Sequence, residues 1–384
     1  MKKFIYYYPG NILLHFLYGL VYRCMKVGRA IELAGVCLLL VSTLLSCGNK
    51  MQPINLSDLD KVQTISLFEP RIIAKGFINP SDIISFDTLI FISDRYSEDM
   101  IQVYSIDGQY IRGLLKTGRG PGESTNLLKL FNGFGNNICA CVANETIYMY
   151  DIGDILAGKS QPYRTIKLPN GHNAYSSIAI TESELLYVGR NPTDIKENKT
   201  LYCSYNYINN EVRYFGSLPT IDPNVDNYPT NDFTIQTIYQ GEPMCRPDGN
   251  KLVVPYYYSL GFEIIDISDN KVETSKLYTV PDVDIIEIPE LCYNVVKRKE
   301  NSLVGFLDIR CTQDYFYLLY SGKNFGHPTY NQGNIILKYD WKGCLQKKYI
   351  LDREIYSFCL SDNEEYFICI CRNNLDSSVL CYQL

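Results

Sequence analysis

Few side chains in this sequence could carry acid–base or nucleophilic chemistry. Beyond residue 46 the only histidines are His172 and His327. Two imidazoles cannot build a histidine-rich metal site, and they leave only two starting places for a Ser-His-Asp arrangement. His327, with Tyr330 nearby, is a candidate acid or base; the competing reading is a solvated loop histidine. Asp94, followed by Arg95 and Tyr96, could ligate a cation or cap a turn, and Arg190 precedes Asn191 and Pro192 at the matching place further on. Asp222, Asp226 and Asp232, with Asn224, Asn227 and Asn231, give residues 219–235 several oxygen donors. Calcium takes six to eight oxygens, but this spacing fits no EF-hand. The expectation is therefore no cofactor, with calcium as the one cation these oxygens suit.

The run Thr117-Gly118-Arg119-Gly120-Pro121-Gly122-Glu123 is the most distinctive local feature. Its glycines permit close backbone approach, and Pro121 restricts Gly120. One reading has the loop present Arg119; the other has Arg119 and Glu123 make an ion pair in a tight crossover. It is no phosphate loop, since no Gly-Lys-Ser/Thr follows. Asp94, Arg95, Arg119, Glu123, Arg190, Asp232, His327 and Tyr330 are the candidate ligand contacts. No catalytic residue is assigned.

The charge balance narrows the partners. The chain has 384 residues, 36 basic and 42 acidic. The first 46 hold Lys2, Lys3, Arg23, Lys26 and Arg29 against Glu32, so the remainder is more acidic than the whole. An acidic body repels phosphate backbones, which argues against nucleic acid as a partner.

Residues 33–45 form an apolar run preceded by Lys26 and Arg29 and ending at Leu44-Leu45-Ser46-Cys47. The run is short for a membrane span and has the order of a secretory signal. Its end resembles the lipobox of bacterial lipoproteins, which implies cleavage before Cys47 and acylation of that thiol, anchoring the chain to a membrane. A plain signal or a single anchor is the alternative. Residues 1–46 are thus read as a signal peptide, with Met25 as an alternative start, and 47–60 as a lipidated linker. Eleven cysteines follow Cys47 with no Cys-x-x-Cys pair, so zinc knuckles are not indicated. Most are expected to be small buried apolar groups.

From residue 61 the pattern is all-β. Short apolar or tyrosine runs alternate with Gly, Asn, Asp and Pro turns. A strand–turn–strand unit begins at Ile101, Ile147, Leu201, Phe262 and Ile335, with a half-copy at Val379. A period of roughly 50 residues indicates propeller blades. Six blades of four antiparallel strands over 61–384 are expected, with Val62–Leu67 supplying the outer strand of the last blade. Tyrosine, 33 in all, suits exposed strand edges and wet faces. Residues 288–300 could form a short helix starting after Pro289. The long segments Asp94–Asp99, Lys116–Thr125, Gly189–Lys199, Pro219–Ile235, Thr279–Val304 and Ser321–Gly333 all fall where connections open on one face of the ring.

The lipobox, the six-unit pattern and Gly118-Arg119-Gly120-Pro121-Gly122-Glu123 together resemble the TolB-like six-bladed propeller lipoproteins of Bacteroidetes, over about residues 60–384. The resemblance implies a fold and an envelope location, the outer membrane, but no activity. In such lipoproteins an acidic cluster just after the cysteine accompanies surface export; Gly48-Asn49-Lys50 has none, which favours the periplasmic side. Two functions compete. One is a noncatalytic module binding an envelope protein or glycan through the long-loop face. The other is a hydrolase or lyase using carboxylates or calcium at the central channel, which requires acids converging on the axis.

Overall fold

A computed structural model describes residues 52–53, 56–142, 146–169, 174–179, 181–189, 202–215, 238–239, 241–269, 271–277, 282–288, 293–372 and 377–384. Three strands precede the first blade: β1 (Gln52–Pro53), β2 (Thr64–Leu67) and β3 (Arg71–Phe77). Blade one is β4 (Pro80–Phe86), β5 (Leu89–Asp94), β6 (Asp99–Ser105) and β7 (Tyr110–Lys116). Blade two is β8 (Leu127–Asn132), β9 (Asn137–Val142), β10 (Thr146–Asp151) and β11 (Arg164–Lys167). Blade three is β12 (Ala174–Ala179), β13 (Glu184–Gly189), β14 (Tyr202–Asn206) and β15 (Glu211–Phe215). Blade four is β16 (Met244–Cys245), β17 (Lys251–Pro255), β18 (Gly261–Asp266) and β19 (Lys271–Leu277). A separate hairpin follows, β20 (Val283–Ile288) and β21 (Tyr293–Arg298). Blade five is β22 (Phe306–Cys311), β23 (Tyr315–Tyr320), β24 (Gly333–Asp340) and β25 (Leu345–Ile355). Blade six is β26 (Ser357–Leu360), β27 (Tyr366–Arg372) and β28 (Ser377–Gln383), completed by β3.

Six blades and an N-terminal closing strand match the expectation, but the closing segment differs. β3, not residues 62–67, pairs antiparallel with β28, through Lys75↔Ser378, Ala74↔Val379 and Ile72↔Leu380. β2 lies parallel to β25 as an extra edge strand of blade five, from Thr64↔Lys348 to Leu67↔Leu351. The geometry requires this assignment. The outer strand of blade six must lead directly into the first strand of blade one, and only residues 78–79 separate β3 from β4. β3 hid in the sequence because its burial is irregular, with Ile73 and Phe77 inward but Ile72 exposed. Within the segment assigned to a linker, β1 pairs with β19, and Leu59 is buried against the core of blades four and five. The chain after residue 51 therefore runs along the rim of three successive blades before it begins its own first blade.

Blades pack face to face, so their middle strands are covered on both sides. β5 is buried along its full length, and its first four residues, Leu89–Ile92, read as a continuous apolar run rather than an alternating one. Phe91, Ile101 and Val103 of blade one meet Leu130, Ile138 and Ala140 of blade two. Ile73 and Phe77 of β3 share a cluster with Ile83, Ile90 and Ile368, which joins the first blade to the last. Tyr96 and Tyr110 are exposed as expected, but other tyrosines depart from that role. Tyr150, Tyr256, Tyr317, Tyr339 and Tyr382 are among the largest fully buried side chains. Two direct their hydroxyls to acids between strands: Tyr317 donates to Glu364 at 2.7 Å and Tyr382 to Asp352 at 2.7 Å. Of the ten described cysteines after Cys47, eight are buried.

Residues 288–300 hold no helix among their described members. Ile288 ends β20 and Tyr293–Arg298 is β21, and in this hairpin Ile286 faces Val295 and Asp284 faces Lys297. The β-branched content and two-residue alternation of Val283–Ile288 outweigh the Pro289 start signal. Strand order puts the described connections 95–98, 117–126 and 321–332 on one face, as B–C or inter-blade connections, while most of the length of the other long segments expected there lies outside the described residues. Among the described residues the opposite face has one long connection, 152–163, which carries the helix α1 (Ile152–Leu156) capped by Asp151.

Candidate functional site

The first strand of each blade lines the ring axis, and there the structure gathers charges that sequence reasoning missed. β4, β8 and β22 each carry a bulge one residue in, between Pro80 and Asp82, Leu127 and Lys129, and Phe306 and Asp308. The repeated bulge sets Asp82, Lys129 and Asp308 at equivalent places near the long-loop end of the axis. Arg310 reaches from blade five to blade one: its guanidinium lies 2.6 Å from Asp308 and 3.0 Å from Asp82, and donates to Ile83 O at 2.9 Å. Lys129 Nζ lies 2.7 Å from Glu242, 3.7 Å from Asp82 and 3.9 Å from Asp308.

The four oxygens of the two aspartates are all committed. Asp82 Oδ1 accepts from Ile83 N and Asp82 Oδ2 from Leu130 N of the next blade. Asp308 Oδ1 accepts from Ile309 N, and Asp308 Oδ2 from the Ser357 hydroxyl and Phe358 N of blade six. Each aspartate thus stitches its inner strand to the following one. Burial pushes the Asp82 carboxyl up, and Lys129 and Arg310 pull it only part of the way back. Burial acts on Asp308 too, but Arg310, Lys129 and the Ser357 and Phe358 donors together hold it below its usual range. Lys129 and Arg310 are held above their ordinary values, because the facing carboxylates outweigh the cost of burial. Such a cluster is a structural staple. The oxygens of Asp82 and Asp308 are all engaged by hydrogen-bond donors. Charged residues inside otherwise apolar inner strands, such as Asp82 before Ile83 and Ile84, were the available signal.

The sequence-chosen residues divide. Asp94 is fully buried and acts as a cap: Oδ1 accepts Asn79 N at 2.7 Å and Oδ2 accepts Ile78 N at 2.9 Å, fixing the step from β3 into β4. That bonding displaces its reading as a cation ligand. Arg95 donates through Nη2 to Leu128 O at 2.9 Å, while its Nε is buried with no hydrogen-bond partner. Glu123 folds back on its own loop and accepts Gly120 N at 2.8 Å. A Cβ at Gly118 would lie 1.9 Å from Glu123 Oε2, so the glycine leaves room for the folded-back carboxylate. No ion pair joins Arg119 to Glu123, and Arg119 is exposed. His327 is exposed, its Nδ1 taking the Thr329 N–H at 3.2 Å, and the Tyr330 ring packs 4.7 Å from that of Phe325. Arg190, Asp232, Cys47, the signal segment and the 219–235 oxygens lie outside the described residues.

Arg95 also lines a cleft of about 360 Å³ on the long-loop face, with Tyr96, Ser97, Glu98, Met100, Thr117, Thr125 and Asn126. Off the axis, Glu263 of β18 is buried beside Tyr256, and burial pushes its carboxyl up to about 7. Among the described residues no group of three or more His, Cys, Asp or Glu side chains is placed to hold a metal ion, and no helix is long and apolar enough to cross a membrane.

Residues 72–363 match the family described as TolB-like 6-blade propeller-like. The fold is similar to that of an exported protein from Bacteroides fragilis, at 13% identity and a TM-score of 0.52, covering 87% of this chain and 98% of that one. It is also similar to the β-propeller domain of Cps50 (Swd1) from Myceliophteria thermophila, at 9% identity and a TM-score of 0.47, covering 81% and 99%. None of the curated proteins matches its sequence.

Proposed function

The chain belongs to the TolB-like six-bladed propeller family, and from that premise we propose that it is an envelope lipoprotein that binds a protein or glycan without transforming it. Acylated Cys47 holds it to the outer membrane, on the periplasmic side, and the long-loop face does the binding. The observation that carries this reading is the contrast between axis and face. The axial acids, which a hydrolase or lyase would need free, are bonded to two cations and to backbone amides. The described connections 95–98, 117–126 and 321–332 and the cleft beside Arg95 open on one side of the ring, where binding residues concentrate. The reading needs no cofactor, and the acidic body argues against nucleic acid.

Capture from detergent-solubilised envelopes, run beside a panel of saccharide and ester substrates, tests it. A specific partner recovered with no turnover supports the module. Turnover with no partner overturns it. Cys47→Ala should move the protein from the membrane fraction to the soluble one; retention in the membrane contradicts the lipid anchor.

A further inference from the structure

The face opposite the long connections, the short-turn face, carries a group of large apolar side chains in the open. Phe134, in the turn between β8 and β9, is 50% exposed. Leu156 and Tyr163, in the connection between β10 and β11, are 60% and 46% exposed. Ile208, in the turn between β14 and β15, is 63% exposed. These three connections belong to the neighbouring blades two and three and touch one another in sequence. Ile152 N, at the start of α1, donates at 2.9 Å to Asn136 O, in the turn that carries Phe134. α1 buries Ile152 and Ile155 and leaves Leu156 outside. Arg164, which follows Tyr163, places its guanidinium 5.3 Å from the centre of the ring of Tyr207, which precedes Ile208. Single exposed apolar residues are ordinary, but a contiguous group marks an interaction surface. Charges of both signs surround it, Lys159, Arg164 and Lys167 with Asp154, Glu182 and Glu211, so it offers apolar contact rather than a field.

The path of the chain indicates what covers this surface. Gly48–Met51 alone separate Cys47 from Gln52, where the chain joins the ring. Gln52 and Pro53 run parallel to β19, so the chain enters blade four travelling away from the short-turn face, on which the β18–β19 turn lies. Five residues reach at most about 18 Å. A strand covers about that distance from Lys276, the partner of Gln52, back to Lys271, where β19 begins on the short-turn face. On the lipoprotein reading, the acyl chains of Cys47 therefore enter the bilayer close to the outer edge of blade four, and blade three is its neighbour in the ring.

We propose that the short-turn surface of blades two and three, with Phe134, Leu156, Tyr163 and Ile208 as its inserted side chains, rests in the headgroup layer of the bilayer that receives the Cys47 acyl chains. The long-loop face then points away from the membrane, open to a partner. The proposal rests on the lipoprotein reading and adds the orientation that reading leaves open. Aromatic rings and aliphatic side chains suit a layer that is part apolar and part wet.

The acylated full chain is reconstituted into vesicles of phosphatidylethanolamine and phosphatidylglycerol with ordinary or brominated acyl chains, bromine quenching tryptophan only at close range. The parent, with Trp341 alone, supplies the background. Leu156→Trp and Ile208→Trp should each add an emission that is lost in the brominated vesicles. Tyr96→Trp, on the long-loop face and 72% exposed, should keep its emission in both. All three positions are exposed, so the variants keep the fold, and unchanged denaturation midpoints verify this. An unquenched tryptophan at position 156 or 208 in vesicle-bound protein, or equal quenching of Tyr96→Trp, overturns the orientation and leaves the lipid anchor standing. Failure of the anchor looks different: the protein stays outside the vesicle fraction, and the orientation falls with it. Capture of an envelope protein through this surface, with no quenching, would give the surface to a protein and overturn the inference.

Discussion

Replacing Arg310 by methionine should cost the protein a large part of its stability while leaving both faces of the ring intact. Arg310 contacts Asp308 at 2.6 Å, Asp82 at 3.0 Å, Ile83 O at 2.9 Å and the Ser357 hydroxyl at 3.3 Å, so one side chain joins blades five, six and one. Its side chain is 9% exposed and its two aspartate partners 4% and 3%. Removing one member of a buried, hydrogen-bonded ion network leaves an uncompensated charge and costs about 3–5 kcal/mol. Domains carry about 5–15 kcal/mol in all. With an m-value of about 5 kcal/mol per molar, the guanidinium midpoint should fall by roughly 0.6–1 M. Trp341, the sole tryptophan, is 7% exposed on blade five and reports the transition. The deficit should shrink in acid, because protonating Asp82, whose carboxyl already sits above its usual range, removes the orphaned charge. The double variant Arg310→Met with Asp308→Asn should recover part of the loss. A midpoint within about 0.2 M of the parent at pH 7, or a deficit that grows on acidification, refutes the reading of the axial cluster as a staple.

The remaining predictions concern single groups. Glu263 carries a carboxyl raised to about 7 from 4.5 by burial. The folded state therefore holds a proton that the unfolded state has lost, and this contribution, about 3 kcal/mol, is present below pH 4.5 and gone above about pH 7. Glu263→Gln should match the parent near pH 4 and exceed it at pH 8 in chemical denaturation; equal curves at pH 8 contradict the burial. Tyr382→Phe removes the 2.7 Å hydrogen bond to Asp352 and should cost about 1–3 kcal/mol, read from the same denaturation curves.

The architecture was legible because its signals are local. Asp107-Gly108 marks a two-strand turn, and the structure gives Gly108 a φ of +95° with the Ile73 carbonyl pressed against it, so only glycine fits. The recurrence of such units announced blades and, through connection lengths, the elaborated face. The closing strand was assigned one segment too early because β2 has the cleaner apolar alternation; pairing partners more than 280 residues away are not written in local pattern. The hairpin at 283–298 was obscured by Pro289, whose helix-start signal competes with β-branched residues on either side. The axial cluster was least legible. Asp82 and Arg310 are 228 positions apart, and only ring closure brings them together. Arg95 was a candidate from the sequence and does line the cleft. Asp94 was ambiguous by nature: an aspartate ending a strand can ligate or cap, and the exposed amides of residues 78 and 79 decided the matter.

Every assignment of a connection to one face, and so the site itself, depends on β3 sealing the ring against β28. Paired cysteines at register partners test that directly: Ala74→Cys with Val379→Cys, and Lys75→Cys with Ser378→Cys, two adjacent positions of which one has the closer side-chain geometry. Oxidation should form a cross-link in at least one pair, seen as a mobility change on a non-reducing gel, and raise stability by about 2–4 kcal/mol. A Ser66→Cys partner for Val379→Cys should not cross-link, since Ser66 lies beside Ile350. Cross-linking through Ser66 instead, with neither β3 pair reacting, would contradict the account.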